Sequence, residues 1–241
     1  MTTIAANLEH VQGRIARACE AAGRAPASVG LLAVSKTFGA PEVLQAAHAG
    51  QRAFGENYLQ EALDKRAAVA ALAPELAAEL RWHCIGPIQS NKTRLVAEHF
   101  HWAHTVDRLK IAQRLSDQRP EQLPPLMVCI QVNVDGGASK SGVAPQEALA
   151  LARDVAQLPR LCLRGVMSIP DPVEGPAAQR AVHGRVREVF DAIAACGAPG
   201  LEHFDTLSLG MTADLEAAIA AGSTLVRVGS GLFGARSYPP A

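Results

Sequence analysis

The sequence predicts a single (β/α)8 TIM barrel of the α/β class with an extra N-terminal helix, and three observations indicate this fold. Eight short β-rich runs alternate with segments rich in Ala, Leu, Glu and Arg, which is the pattern of βα units around a parallel sheet. The chain has 241 residues, a length at which one barrel is common. A doubly wound sheet usually has only about five or six strands. We therefore expect one domain over residues 1–241, with the barrel at about 29–236.

The first predicted element is an amphipathic helix at about 3–22. Ile4, Leu8, Val11 and Ile15 recur at helical spacing, and Gly23 follows as a stop signal. The apolar runs that come after it end in polar residues or glycine, and each leads into a helix-forming segment. They predict strands at 31–36, 52–56, 82–86, 102–106, 126–134, 163–169, 206–209 and 224–228. The Gly/Ser-rich segment 136–142 predicts a mobile loop after the fifth strand.

Composition argues against several classes of partner. The chain carries 23 basic and 23 acidic residues, so its net charge gives no footprint for nucleic acid or an anionic membrane. No apolar run approaches the roughly 20 residues of a membrane span, and the first residues lack a basic region and a cleavage site. We therefore expect a cytoplasmic protein. The five cysteines are odd in number and widely spaced, which favours buried, reduced thiols over a disulfide framework or a zinc site.

Lys36 is the first candidate functional residue. The chain has only five lysines, and Lys36 ends the first predicted strand, at the barrel end where active sites lie. A partly desolvated amine can form a Schiff base with an aldehyde, which a guanidinium cannot do. Judged by position alone, the alternative is a lysine that extends to water or forms an ion pair.

Two segments near the C-terminus, 208–212 and 227–231, predict a phosphate site. They follow the seventh and eighth strands, where barrels often bind phosphate. Thr212 is predicted to be the N-cap of a helix that Gly222 ends, and small residues such as Gly229 allow backbone N–H groups to approach a ligand. Taken singly, each segment is also explained by helix capping or chain turning alone.

Three histidines, His99, His101 and His104, lie close together in the sequence. On an extended chain the first two share a face and His104 points the other way, and no acidic residue completes a ligand set. We therefore expect no metal site.

Several motifs together resemble one family. They are Lys36, Gly-Glu-Asn-Tyr at 55–58, His-x-Ile-Gly-x-x-Gln-x-Asn-Lys at 83–92, Ser-Lys-Ser-Gly at 139–142, Arg-Gly-Val-Met at 164–167 and the two C-terminal segments. Over about residues 31–234 the chain is similar to the pyridoxal 5′-phosphate (PLP)-binding proteins of the YggS/PROSC family, the PLP homeostasis proteins. The resemblance implies a barrel like the N-terminal domain of alanine racemase, with PLP bound covalently to Lys36.

The resemblance also implies roles for other residues. Ser208, Gly229 and Ser230 would hold the phosphate with help from Met211 and Thr212, Arg227 would face the pyridine nitrogen, and Asn57, His83 and Met167 would line the pocket. The family usually reads Ser-Met-Gly-Met-Ser and Arg-Ile-Gly-Thr-Ala, so this chain departs at Leu209, Thr212, Val228, Ser230 and Gly231. The phosphate-facing changes keep a hydroxyl or a backbone N–H. Gly231 is expected to loosen its loop slightly.

Arg227 bears on whether the protein is an enzyme. An arginine stays protonated, so it leaves the pyridine nitrogen unprotonated and the ring a weak electron sink, which disfavours transaminase chemistry. Racemisation needs a second acid/base, which racemases take from a second domain, and Tyr58 and Tyr238 are not obvious replacements. We therefore expect a monomeric PLP carrier without catalytic turnover, which holds PLP and delivers it to apo-enzymes.

Two other functions stay open at this point. One is a fold-type III PLP enzyme, such as an amino-acid racemase or lyase completed by a partner chain. The other is a barrel that binds a phosphate ligand without aldehyde chemistry, with Lys36 as a counter-charge.

Overall fold

A computed structural model describes residues 3–136 and 141–234 of the chain. Eight parallel strands close into a barrel in the order β1 to β8, and β1 pairs with both β2 and β8. The strands are β1 (Gly30–Val34), β2 (Ala53–Glu56), β3 (Arg81–Cys84), β4 (Trp102–Val106), β5 (Leu126–Gln131), β6 (Leu161–Met167), β7 (Thr206–Ser208) and β8 (Leu225–Val228). The predicted fold is therefore confirmed.

Helices surround the barrel, and the main hydrophobic core lies between them and the strands. They are α1 (Ile4–Ala21), α2 (Ala40–His48), α3 (Leu59–Leu72), α4 (Pro74–Glu79), α5 (Thr93–His99), α6 (Leu109–Gln118), α7 (Pro145–Ala156), α8 (Pro176–Ala194), α9 (Leu215–Ala220) and α10 (Ser230–Phe233). The extra helix α1 begins where Thr3 Oγ1 accepts a hydrogen bond from Ala6 N, and Gly23 follows it at φ +66°. α1 packs against α9, which follows the first C-terminal segment, and against α10, which begins within the second.

The observed strands differ from the predicted ones mainly at their ends. β4 has the predicted bounds, whereas the apolar runs of β3 and β5 continue past the last strand residues, Cys84 and Gln131. The prediction that Lys36 ends the first strand is wrong, because β1 ends at Val34 and Lys36 lies in the turn that follows. Thr37, the next residue, adopts a left-handed φ of +70° that a strand does not allow.

Side chains fill the interior of the barrel. Leu32, Val34 and Ile85 form an apolar layer. His83 is buried, with its ring stacked on that of Trp102 at 5.1 Å, and its Nδ1 lies 2.9 Å from Nε2 of His104. Burial lowers the pKa of His104 to about 3 and the pKa of His83 well below its usual value, so both rings are neutral. His83 is thus part of the packed interior.

The cysteines only partly match the expectation. Cys19, Cys84 and Cys129 are buried, but Cys162 and Cys196 are half-buried, and all five are free thiols. In the described part of the chain, no group of three His, Cys, Asp or Glu is placed to hold a metal ion. Within residues 3–136 and 141–234, no helix combines the length and the apolar character that a membrane span requires.

Candidate cofactor-binding site

The Lys36 turn and the second C-terminal segment meet at the C-terminal end of the barrel. Ala33 pairs with Val228, so the residues after them continue side by side on β1 and β8. A Cβ placed on Gly229 would lie 3.4 Å from the carbonyl oxygen of Val34. The fold therefore places Lys36 at the level of the Gly229–Ser230 backbone.

A buried lysine holds the residue that precedes Lys36. Lys65 of α3 donates from Nζ to the Ser35 carbonyl at 2.7 Å and to Glu56 Oε1 at 2.6 Å. The Ser35 hydroxyl donates to the same Glu56 oxygen at 2.6 Å. The Lys65 and Glu56 side chains are 3% and 0% exposed, so the ion pair is fully screened from water.

The same cluster also holds the residue that follows Lys36. Glu61 Oε1 accepts hydrogen bonds from Lys65 Nζ at 2.9 Å and from the Thr37 backbone N–H at 2.6 Å. Burial raises the pKa of Glu56, while the charge and hydrogen bonds of Lys65 oppose that rise. Lys36 thus lies between two residues that are fixed by one charged cluster. Sequence reasoning missed this cluster, although Glu61 and Lys65 have the i,i+4 spacing of a helical ion pair.

Arg227 spans the ends of β6, β7 and β8 inside the barrel. Its Nη1 donates to the Ser208 carbonyl and hydroxyl oxygens, both at 2.7 Å, and its Nη2 donates to the Ser168 carbonyl at 2.8 Å. Met167, which is fully buried, pairs with Ser208 in the β6–β7 register. Burial lowers the pKa of Arg227 to about 10, which still leaves the guanidinium protonated at neutral pH.

The helix after β7 begins later than predicted. Thr212 is not its N-cap, because α9 starts at Leu215 and Asp214 takes the capping position. Asp214 Oδ1 accepts the Met211 backbone N–H at 2.6 Å, and its Oδ2 lies 2.9 Å from Nε2 of the buried His183. The Asp214 carboxylate therefore fixes the backbone of Met211, whose side chain is 40% exposed.

Thr212 instead joins the two C-terminal segments. Its hydroxyl accepts the Gly231 N–H at 3.4 Å, and its carbonyl accepts a bond from Arg14 Nη2 of α1 at 3.0 Å. Asn7, also on α1, donates to the Leu232 carbonyl at 2.9 Å. The N-terminal helix thus contacts the first predicted phosphate segment and the residue that directly follows the second.

Asn57 faces the mouth of the barrel. It lines a cavity of about 250 Å³ together with side chains that include Ile85, Thr105, Gln131 and Ile169. Its Oδ1 atom is buried and has no hydrogen-bond partner within the described chain. Because an unpaired buried oxygen is costly, this atom suits a bound ligand that carries a hydroxyl group, as PLP does.

The predicted site residues therefore fall into four groups. Lys36, Ser208, Arg227, Gly229 and Ser230, with Met167 beside them, gather at the ends of β1 and β6 to β8. Asn57 lies at the mouth near the end of β2, and Met211 and Thr212 lie on the loop after β7. His83 lies inside the barrel below the mouth, and Ser139 and Lys140 lie outside the described residues.

Comparisons with known proteins agree with this architecture. The family model of the alanine racemase N-terminal domain matches residues 6–237. A Pseudomonas aeruginosa protein named pyridoxal phosphate homeostasis protein is 60% identical over 238 residues, which are 99% of this chain and 98% of the relative. The protein of the same name from Escherichia coli K12 is 51% identical over 238 residues, which are 99% of both chains.

A solved structure of a relative contains the cofactor. PipY of Synechococcus elongatus, described with PLP bound, is 36% identical and superimposes with a TM-score of 0.78 over 91% of this chain and 100% of PipY. The family model and the two relatives each match almost the whole sequence, so the sequence similarity is not limited to the barrel scaffold. The chain belongs to the alanine racemase N-terminal domain family and, within it, to the pyridoxal phosphate homeostasis proteins.

Proposed function

We propose that this protein binds PLP and takes part in its homeostasis, with Lys36 as the point of covalent attachment. The observation that carries the proposal is the Lys36 turn, which the Lys65 cluster fixes on both sides beside the Gly229–Ser230 backbone. A fixed amine next to a phosphate-binding backbone matches the two reactive ends of PLP, its aldehyde and its phosphate. The PLP-bound PipY relative supports PLP as the ligand.

Lys36 forms the reversible bond. Its Nζ amine adds to the aldehyde carbon and one water leaves, so that hydrolysis of the imine returns the free amine and the aldehyde. Reversibility is what a carrier needs, because the protein limits free reactive aldehyde and yet can release it.

The other predicted residues hold the rest of the cofactor. We assign the phosphate to Ser208, Gly229 and Ser230, with Met211 and Thr212 at the rim. Arg227 faces the ring nitrogen, and Asn57 and Met167 bound the pocket. His83 supports the site from inside the barrel, through its bond to His104.

The proposal includes the absence of catalytic turnover. Arg227 is protonated and its Nη atoms donate to Ser208 and Ser168, so it cannot accept a proton and stabilise a carbanion through the ring. A carrier of this kind acts as a monomer in the cytoplasm and delivers PLP to apo-enzymes. The relatives' names as homeostasis proteins favour this function over a racemase.

Covalent trapping tests the attachment site. The PLP-loaded protein is reduced with borohydride, digested and mapped by mass spectrometry, and the pyridoxyl group is expected on Lys36. Lys110→Arg on α6 serves as a control that keeps full labelling. A pyridoxyl group found mainly on another lysine of the wild-type protein would contradict the assignment.

Two further measurements separate the alternative functions. Sustained, Lys36-dependent racemisation of any amino acid in a panel would establish an enzyme in place of a carrier. Pyridoxine 5′-phosphate has the ring and phosphate of PLP but no aldehyde. If the protein binds both compounds equally well and PLP gives no imine absorbance, the site is a phosphate-ligand site without aldehyde chemistry.

A further inference from the structure

A second cavity, of about 360 Å³, lies at the end of the barrel opposite Lys36, where β3, β4 and β5 begin. Three arginines line it: Arg66 of α3, Arg81 at the start of β3 and Arg119 after α6. Among the described lining residues, Glu98 is the one carboxylate, so arginines and glutamate together leave two positive charges. The volume falls in the range of small-molecule sites, which begins at about 300 Å³.

Within the described residues, one hydrogen-bond donor of Arg66 has no partner. Its Cζ lies 5.9 Å from the centroid of the Trp82 ring, and its Nη1 is buried without a hydrogen-bond partner in the described residues. In that same part of the chain, no Asp or Glu oxygen lies within 4.0 Å of Arg66, Arg81 or Arg119. Since an unpaired buried guanidinium N–H costs free energy, a bound anion would stabilise this arrangement.

His101 adds a neutral donor to the same cavity. Its Nδ1 accepts the Trp82 backbone N–H at 3.0 Å. Burial lowers the pKa of His101 to about 4, and the neighbouring arginine charges contribute to that shift. The ring is therefore neutral at pH 7, and because Nδ1 is an acceptor, its proton resides on Nε2. Cationic groups and an N–H donor together select an anion over a metal cation.

The rest of the lining determines which kind of anion fits. Arg119 uses Nε and Nη1 on the carbonyls of Pro124, Ala97 and Phe100, at 2.6 to 2.8 Å, so it shapes the wall and supplies charge. Leu123, Pro124 and Pro125, which are half-buried or exposed, contribute apolar surface, whereas Phe100 is buried behind them. A ligand with a divalent anionic head and an apolar body matches both features, and a phosphate monoester carries close to two charges at neutral pH.

We infer that this cavity, lined by Arg66, Arg81 and His101, is a second binding site, for a small organic phosphate monoester. The phosphate contacts Arg66 and Arg81, and the organic group lies against Leu123 and Pro125. The site is separate from the Lys36 mouth, because its residues precede the strands rather than follow them.

Calorimetric titration with phenyl phosphate tests the inference on protein whose Lys36 site has been filled with PLP and reduced with borohydride. We expect one saturable site per chain. Arg66→Met is expected to weaken binding at least about tenfold, because it removes a charge-assisted hydrogen bond. Arg81→Gln, at an exposed position, should weaken binding severalfold and provides a second variant if Arg66→Met folds poorly. Arg153→Gln, an exposed arginine on α7, is the matched control and should leave affinity unchanged.

Failure of this inference can be told apart from failure of the proposed function. If PLP does not load, the same titration on the unmodified chain still reveals a component that Arg66→Met and Arg81→Gln remove. Absence of saturable binding in the wild-type protein would overturn the inference. Equal affinity in the wild type and both arginine variants would overturn it as well.

Discussion

The Lys36 turn and the two phosphate segments lie at the same end of the barrel, but the protein holds them in different ways. The turn is fixed from within by the Lys65–Glu56 pair, whose side chains are 3% and 0% exposed. The first predicted phosphate segment is held from outside by Asp214 and by Arg14, whose partner Glu216 is 51% exposed. An imine requires one nitrogen in one place, whereas several backbone N–H groups share a phosphate. Under the proposed function, the rigid support therefore lies where a single atom matters.

The largest expected effect comes from removing the buried charge under the Lys36 turn. Lys65→Met leaves Glu56 without its counter-ion, which typically destabilises a protein by about 3–5 kcal/mol. We expect urea denaturation to show a loss of this size. If the chain remains folded at low temperature, imine absorbance with PLP should fall sharply, while binding of pyridoxine 5′-phosphate stays near the wild-type level.

Two variants control this experiment. Lys65→Met/Glu56→Gln removes both charges and should recover part of the stability, since no ion is left buried alone. Lys92→Met alters an exposed lysine and should change neither stability nor imine yield. Equal losses of PLP and pyridoxine 5′-phosphate binding in Lys65→Met would mean that the cluster supports the whole site rather than the Lys36 turn.

The Lys65 cluster is also a feature that the sequence did not predict. The alternation of strands and helices was enough for the barrel. Lys36, Ser208 and Gly229 were predicted as site residues from their position at the ends of predicted strands, although Lys36 lies in the turn after β1. The exact strand ends could not be predicted, because apolar residues at 85 and 132 continue the strand pattern beyond Cys84 and Gln131, where the strands end. Pairing of Lys65 with Glu56 depends on how far α3 rotates over β2, and spacing in the chain does not contain that information.

A second, smaller effect is expected from Asp214 and depends on pH. The carboxylate bonds to His183 and to the Met211 N–H hold its pKa below the usual value, against the effect of its partial burial. The contribution of Asp214 to the free energy of unfolding is therefore present at neutral pH. It is lost as the pH falls below about 4, through the folded-state pKa. We expect Asp214→Asn to cost about 1 kcal/mol at pH 7, given its partial exposure, and the difference from wild type to shrink toward pH 3.

Glu56 is expected to show the opposite pH dependence of stability from Asp214. Its pKa is raised in the folded chain, so protonation is easier there than in the unfolded chain. Acidification through that range should not reduce the difference in free energy of unfolding between wild type and Glu56→Gln. For Asp214→Asn, the same acidification reduces that difference. Urea denaturation of both variants at pH 7, 5 and 3.5 checks this, and parallel pH profiles would refute the contrast.

Arg14 should have a modest effect of similar size on cofactor affinity and on stability. Its contacts with Glu216 at 2.7 Å and with the Thr212 carbonyl at 3.0 Å are partly exposed, so each contributes modestly. We expect Arg14→Met to weaken PLP binding about two- to fivefold and to lower stability by about 0.5–1 kcal/mol. Arg17→Met, an exposed neighbour on α1, is the control. Unchanged affinity in Arg14→Met would show that α1 only covers the phosphate segments.

The smallest expected effect concerns two departures from the family pattern, Thr212 and Gly231, which the structure places in contact. A Cβ on Gly231 would lie 2.8 Å from Thr212 Cγ2 and 3.1 Å from Val228 Cγ1, so the threonine methyl occupies the space of the alanine usual in the family. Gly231→Ala alone should therefore cost about 1 kcal/mol through overpacking. Thr212→Ser alone leaves a methyl-sized gap and should cost about 0.5–1 kcal/mol.

The double variant distinguishes compensation from a loosened loop. Thr212→Ser/Gly231→Ala removes the clash, keeps a hydroxyl for the residue 231 N–H and gains roughly 0.5–1 kcal/mol from alanine in place of glycine in α10. It should therefore equal or exceed the wild-type stability, with a coupling of about 1–2 kcal/mol in the double-mutant cycle. PLP affinity should stay within about twofold. Additive single effects would instead mean that Gly231 gives the loop its freedom independently of Thr212, in agreement with the expectation from sequence.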